Sequence, residues 1–292
     1  MIGFKGFWAI LIFAALLFTF GLILAEKPLV KRVTTGLSLA VAVIDIFVGV
    51  LNLNSARIVV FNDQVLEEAV GKIMGLENQT IPISEAKKLR KLDLVKLGIE
   101  DLTGLEEFTN LTFLNLENNN ITDLSPLKGL KNLSILHLEN NNITDLRPLK
   151  GLKNLSTLDL EDNKIYDISC LDRLKQLEVL DIRSNYVDDI SALKEMVNMR
   201  ELYIRNNNIS DISPLFKMTK LTYLTIGDNN ISDISPLENM TELDHLIMCN
   251  NNISDIHVLY NFHKLVHLEI QDNPIENYDP INSLPDGCKV LE

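Results

Sequence analysis

The sequence predicts an α/β solenoid: a curved arc of short parallel strands with a 3-10 or irregular convex side. A helical cap closes its N-terminal end, and a transmembrane helical hairpin precedes the cap. Three observations predict this. First, Asn119, Asn141, Asn163, Asn185, Asn207, Asn229, Asn251 and Asn273 recur every 22 residues without a slip. A strict period of about 20–50 residues marks a stack in which each repeat packs only on its neighbours. Second, pairs such as Leu114 and Leu116 alternate apolar with polar, the pattern of a half-buried strand. Third, two apolar runs ahead of the repeats have the length of membrane-crossing helices.

Residues 1–56 differ in material from the rest. Lys5, Lys27, Lys31 and Arg32 stand against Glu26 and Asp45, so this part carries +2 and residues 57–292 carry −15 of the formal −13. Residues 7–25 hold no charge, and at about 1.5 Å per residue they reach across a hydrocarbon core of about 30 Å. Residues 36–53 form a second run, interrupted by Asp45, which is costly at mid-membrane. The basic loop between them holds Lys27, Lys31 and Arg32. By the positive-inside bias it is expected in the cytoplasm, with both chain ends outside. The alternative makes residues 1–25 a secretory signal, against which stand a thin basic start and Ile23 at a position that favours a small residue.

Residues 57–88 are expected to form a helical cap. Val65, Leu66, Ala69, Val70, Ile73 and Met74 make a stripe at helical spacing, Gly75 is a stop, and Asn62 or Asp63 can cap the start.

Residues 89–286 hold nine repeats. Counting the first leucine of each as position 1, the unit reads L-x-x-L-x-L-x-x-N-x-I-x-D-[IL]-x-x-L-x-x-L, as in Leu111, Leu114, Leu116, Asn119, Ile121, Asp123, Leu124, Leu127 and Leu130. The asparagine ends the strand, and its amide can satisfy backbone groups that the turn leaves unpaired. Ser125-Pro126, Ser213-Pro214 and Ser235-Pro236 read as capped starts of helical turns on the return side. Position 13 is aspartate eight times, from Asp101 to Asp255. These carboxylates read as local hydrogen-bond acceptors, since the acid clustering of a calcium loop is missing. The ends are atypical, with Leu97 in place of the first asparagine, and residues 287–292 are expected to form a short tail.

The fragment Leu116-Glu117-Asn118-Asn119-Asn120-Ile121-Thr122-Asp123-Leu124-Ser125-Pro126-Leu127 resembles the leucine-rich repeat of the internalin family, of the 22-residue class. The segment Val60-Phe61-Asn62-Asp63-Gln64-Val65-Leu66-Glu67-Glu68-Ala69-Val70 resembles that family's cap, so the likeness runs over residues 57–286. It implies a bacterial surface or secreted protein that binds a protein on its concave side. The family also places an immunoglobulin-like domain and a cell-wall sorting motif after the repeats, where only residues 287–292 follow; here the anchor is expected at the N-terminus. A similar repeat occurs in the cytosolic regulatory subunit of protein phosphatase 1. The alternative is therefore a cytosol-facing scaffold or enzyme regulator.

Positions 3, 5, 7, 8 and 10 point away from the expected core. In the first half they include the acids Glu117, Glu139, Asp159, Glu161, Asp162 and Asp181, read as a solvated face. From the fifth repeat on, Arg183, Tyr186, Tyr203, Arg205, Tyr223, His245, Ile247 and His267 collect on the same side and make a candidate protein-binding patch. The competing reading is that the tyrosines pack sideways to stabilise the sheet. His245, His267 and Cys249 are the best candidates for a metal site, but no third histidine or carboxylate is placed to complete them, so neither metal nor cofactor is expected. The acidic solenoid argues against nucleic acid, whose phosphates demand lysine and arginine. No nucleophile–base set, phosphate loop or zinc-protease motif occurs, and Cys170, Cys249 and Cys288 have no paired spacing. The sequence predicts a binding module and no enzyme.

Overall fold

In a computed structural model of the chain, residues 57–292 are described. The expected hairpin of residues 7–25 and 36–53 lies outside them. No helix among the described residues is long and apolar enough to cross a membrane.

The cap consists of α1 (Gln64–Met74) and the single turn α2 (Ile83–Ala86). Of the two candidate caps for α1, Asp63 is the one used: its Oδ1 accepts from the amides of Val65 and Leu66, at 2.8 and 3.2 Å. Gly75 ends α1 in the left-handed conformation, at φ 68°. Leu66 and Val70 are fully buried over the first repeat, and Phe61 packs on Phe108 with ring centroids 6.3 Å apart. Gly104 allows that contact, because a Cβ there would lie 2.7 Å from the Phe61 ring.

Ten parallel strands follow in strict sequence order: β1 (Lys91–Asp93), β2 (Phe113–Asn115), β3 (Ile135–His137), β4 (Thr157–Asp159), β5 (Val179–Asp181), β6 (Glu201–Tyr203), β7 (Tyr223–Thr225), β8 (His245–Ile247), β9 (His267–Glu269) and β10 (Lys289–Leu291). The repeats predict nine. The tenth corrects the expected tail: Lys289, Val290 and Leu291 pair with His267, Leu268 and Glu269, because they stand one 22-residue period beyond them. Positions 3, 4 and 5 form each strand, and position 4 is a fully buried leucine from Leu92 to Leu268. Positions 3 and 5 face out, as the period-2 alternation of a strand requires.

The asparagine of position 9 is buried from Asn119 to Asn251 and fully used. Asn163 Nδ2 donates to the carbonyls of Leu138 and Leu160, at 2.9 and 3.1 Å, while its Oδ1 accepts from the amide of Ile143 at 2.9 Å. It therefore ties the turn of its own repeat to the preceding one. Position 8 has a different task from the one its outward placement predicts. Lys96, Asn118, Asn140, Asp162, Ser184, Asn206, Asp228, Asn250 and Asp272 all have positive φ, between 51° and 58°. The turn needs a left-handed residue there, which explains the preponderance of Asn and Asp.

On the convex side each repeat makes a short 3-10 segment, such as Ser125–Gly129 and Ser213–Lys217. The aspartate of position 13 caps it, and the serine that follows does not. Asp123, Asp167, Asp211 and Asp233 accept from the amides of Ser125, Ser169, Ser213 and Ser235 at 2.7–2.8 Å. Hydrogen bonds from the residue two positions on, led by the side chains of Thr103, Arg147 and Ser169 and by the amides of Ser191 and His257, hold Asp101, Asp145, Asp167, Asp189 and Asp255 below the usual carboxylate range.

Candidate functional site

Because every strand presents the same positions outward, side chains of one phase line up across the sheet, as Tyr223, His245 and His267 do at position 3. Tyr203, at position 5, and Arg183, at position 7, extend this row diagonally into one continuous stack. The Arg183 guanidinium lies over the Tyr203 ring, 5.3 Å from its centroid. Tyr203 meets Tyr223 at 5.1 Å, Tyr223 stacks on His245 at 4.9 Å with planes 15° apart, and His245 meets His267 at 5.8 Å. The spacings from Tyr223 to His267 follow from strands about 4.8 Å apart, which place register partners in contact, and Tyr203 reaches Tyr223 as a diagonal neighbour. Five consecutive repeats thus contribute one rung each. All five residues are half-buried, so each shows part of its surface to solvent on the outward face.

Polar neighbours fix the rungs. Tyr203 donates to Glu201 Oε2 at 2.7 Å; burial, then this carboxylate, pushes its hydroxyl above the ordinary tyrosine range. His245 Nδ1 lies 2.7 Å from Asp244 Oδ1, and His267 Nε2 lies 2.8 Å from Glu269 Oε1. Arg183 grips Asp181 through both carboxylate oxygens and reaches Glu161 at 2.7 Å. Burial still pushes the Asp181 carboxyl up, against the pull of Arg183.

Of the other predicted residues, Arg205 pairs with Asp228. Together with Arg183 and Glu161 they line a shallow polar depression beside the stack. Ile247 stands half-exposed on β8, in register with Thr225 and Glu269. Tyr186 lies apart: past the turn at Ser184, it stacks on Tyr166 at 4.9 Å. Its position 10 faces the rim of the arc, and Tyr166 was missed because position 12 was not counted as outward.

The tyrosines do pack sideways, so the sheet-stabilising role and the exposed face belong to the same side chains. Cys249 drops out of the face. It is buried with its Sγ against Gly227, where a Cβ would come within 3.0 Å, and burial raises its thiol above the usual range. His245, His267 and Cys249 therefore do not converge: each histidine faces a carboxylate and the cysteine lies inside.

The acidic half holds one arrangement that sequence reading missed. His137 and Asp159 are register partners at position 5, and Glu139 stands two residues past His137. Burial pushes the Glu139 carboxyl up to about 7, and the Asp159 carboxylate raises His137 above the ordinary imidazole value. The shared phase of His137 and Asp159 was the available signal. The acids around them mask that signal, because an acidic stripe has the composition of a solvated face.

Family models for leucine-rich repeats match residues 87–129, 109–151, 197–239 and 131–187. Internalin C2 from Listeria monocytogenes is 32% identical, with a TM-score of 0.59, over 80% of this chain and 94% of that one. The functional domain of InlJ from the same organism is 26% identical, with a TM-score of 0.64; the match covers 77% of this chain and 54% of that one. A leucine-rich-repeat protein of Leptospira interrogans shares the fold at 20% identity and a TM-score of 0.60, over 76% of this chain and 68% of the other. No curated protein matches the chain in sequence.

Proposed function

The chain belongs to the internalin-like leucine-rich-repeat proteins, and from that premise we propose that it binds a protein ligand on the outward face of its strands. The five-rung stack of Arg183, Tyr203, Tyr223, His245 and His267 carries this reading. Tyrosine and arginine anchor interfaces because they bring large area and a polar handle at little cost in rotamer freedom. Here they are preorganised by stacking and ion pairs, so binding would immobilise little more. Arg205 and Ile247 flank the stack, and Tyr186 extends the contact towards the rim. Solenoids of this kind offer a long open surface and no enclosed pocket, which supports binding over catalysis.

In this reading residues 7–53 anchor the chain in the membrane and hold the repeats outside the cytoplasm. The apolar runs and the basic loop between them support it. Cys170 and Cys249 are buried and unsuited to labelling. A variant with its three cysteines replaced and Asn230→Cys added gives an exposed probe. A membrane-impermeant thiol reagent should modify it in intact cells. Labelling only after the cells are opened would sink the display reading and favour a cytosol-facing regulator.

Ligand capture is tested by crosslinking pull-down with the wild type, Tyr203→Ala/Tyr223→Ala and Ile247→Lys. The double variant removes two rungs, and Ile247→Lys sets a charge on the face while leaving the stack in place. Both are expected to lose the captured protein, with the melting temperature of Ile247→Lys unchanged. Undiminished capture by both would end the proposal.

A further inference from the structure

We propose that His137, Glu139 and Asp159 bind one divalent transition-metal ion of the zinc class on the acidic half of the outward face. Each offers one ligand atom, and the three atoms lie within 4.8 Å of one another. His137 Nδ1 is 3.8 Å from Glu139 Oε2 and 3.9 Å from Asp159 Oδ2. These separations are too long for hydrogen bonds. They are close to what a shared ion demands: ligands at about 2.0–2.1 Å in tetrahedral array stand roughly 3.4 Å apart. Each of the two His137 separations must close by about half an ångström, and the two carboxylate oxygens must approach from within 4.8 Å.

Two independent observations support a ligand there. Glu139 Oε2 is shut off from water and meets no hydrogen-bond donor. A carboxylate oxygen in that condition is costly, and an ion would satisfy it. The second observation is a comparison within the chain. One repeat along, Glu161 and Asp181 hold the positions of Glu139 and Asp159, and Arg183 bridges them. Among the described residues, Glu139 and Asp159 have no such cation: their only ion-pair partner is His137. The surroundings are also ready. Asp159 Oδ1 is occupied by the Glu161 amide at 3.1 Å, which leaves Oδ2 free to ligate. The Phe113 ring, 5.9 Å from the His137 ring, limits its rotation.

One imidazole nitrogen and two carboxylates suit zinc and its first-row neighbours. Calcium and magnesium prefer oxygen throughout. All three residues are half-buried, so the remaining coordination position opens to solvent, where water or a partner's side chain completes it.

The full chain, free of any affinity tag and stripped with a chelator, is titrated with Zn²⁺ by calorimetry and by thermal melting. One ion per chain and a raised melting temperature are expected, with no response to Ca²⁺ at equal concentration. His137→Gln and Asp159→Asn should each weaken binding about tenfold or more, while His263→Gln, at an exposed histidine outside both the site and the stack, leaves it unchanged. Co²⁺ in place of Zn²⁺ should give a visible absorption band that His137→Gln abolishes. Metal-free melts of both variants separate lost binding from lost fold, and if His137→Gln does not fold, Asp159→Asn decides. Absence of stoichiometric binding, unchanged affinity in the site variants, or loss with His263→Gln instead would each overturn the site.

Discussion

Asn207 shows what one side chain does in this fold. Its Nδ2 donates to the carbonyls of Ile182 and Ile204, at 2.9 and 3.2 Å, and its Oδ1 accepts from the amide of Val187 at 3.0 Å. The residue is buried, so no water can replace these partners. Asn207→Ala leaves two carbonyls and one amide short of a partner, and each such group costs about 1–3 kcal/mol. We therefore predict a loss of about 3 kcal/mol or more in urea unfolding. An exposed asparagine such as Asn230, changed to alanine, should move the midpoint by less than about 0.5 kcal/mol. Equal effects at the two positions would contradict the assigned role. This part of the molecule was fully legible in the sequence, because a buried amide repeated at one phase has few other uses. Its neighbour at position 8 was read as a free outward residue. Backbone conformation is not written in hydrophobic period, and only the run of Asn and Asp gave a hint of the left-handed turn.

At the level of the element, each strand is three residues long and derives its geometry from the strands beside it. Position 8 sets the bend that ends each strand, and Ser184 is poorly suited to its φ of 54°. Asn tolerates that conformation better, through local hydrogen bonding of its short amide. Ser184→Asn is expected to stabilise the chain by roughly 0.5–1 kcal/mol. The change also tests the binding face, because Ser184 lines the depression between Arg183 and Arg205. A higher melting temperature with unaltered ligand capture would place the depression outside the contact. A lower melting temperature would refute the backbone argument. The aromatic stack was only half legible. The sequence placed Tyr203, Tyr223, His245 and His267 on one side, but whether they were free or stacked depends on strand spacing and rotamer. Tyr186 left the group for the same kind of reason: position 10 lies beyond the turn, where the chain has already changed direction.

Over the whole described molecule, stability is distributed along one dimension, since each repeat touches only its neighbours. The N-terminal end is held by a clip of which only one half is legible in the sequence. Asp63 caps α1 with Oδ1, and with Oδ2 it accepts from the amides of Glu100 and Asp101, at 2.9 and 3.4 Å. Asn62 adds bonds to Asp101 and Thr103. The cap motif was legible because helical spacing and a capping residue are local. The second half of the clip joins residues about 37 positions apart, which no local pattern encodes. Burial opposes it, yet the four backbone bonds hold the Asp63 carboxyl below its ordinary value. A depressed carboxyl contributes stability that is present above its unfolded pKa and is lost as pH falls through the folded one. Asp63→Ala should thus cost about 2 kcal/mol at pH 7, and the gap to the wild type should close below about pH 4. The consequence for the array is local. Amide exchange should quicken in the cap and the first repeat, at Leu66, Leu92 and Ile99, while Leu158, Leu180 and Leu202 keep their protection. Uniform loss of protection along the chain would mean that the repeats unfold as one block. The one-dimensional account, in which the cap seals one end of a stack of semi-independent layers, would then be wrong.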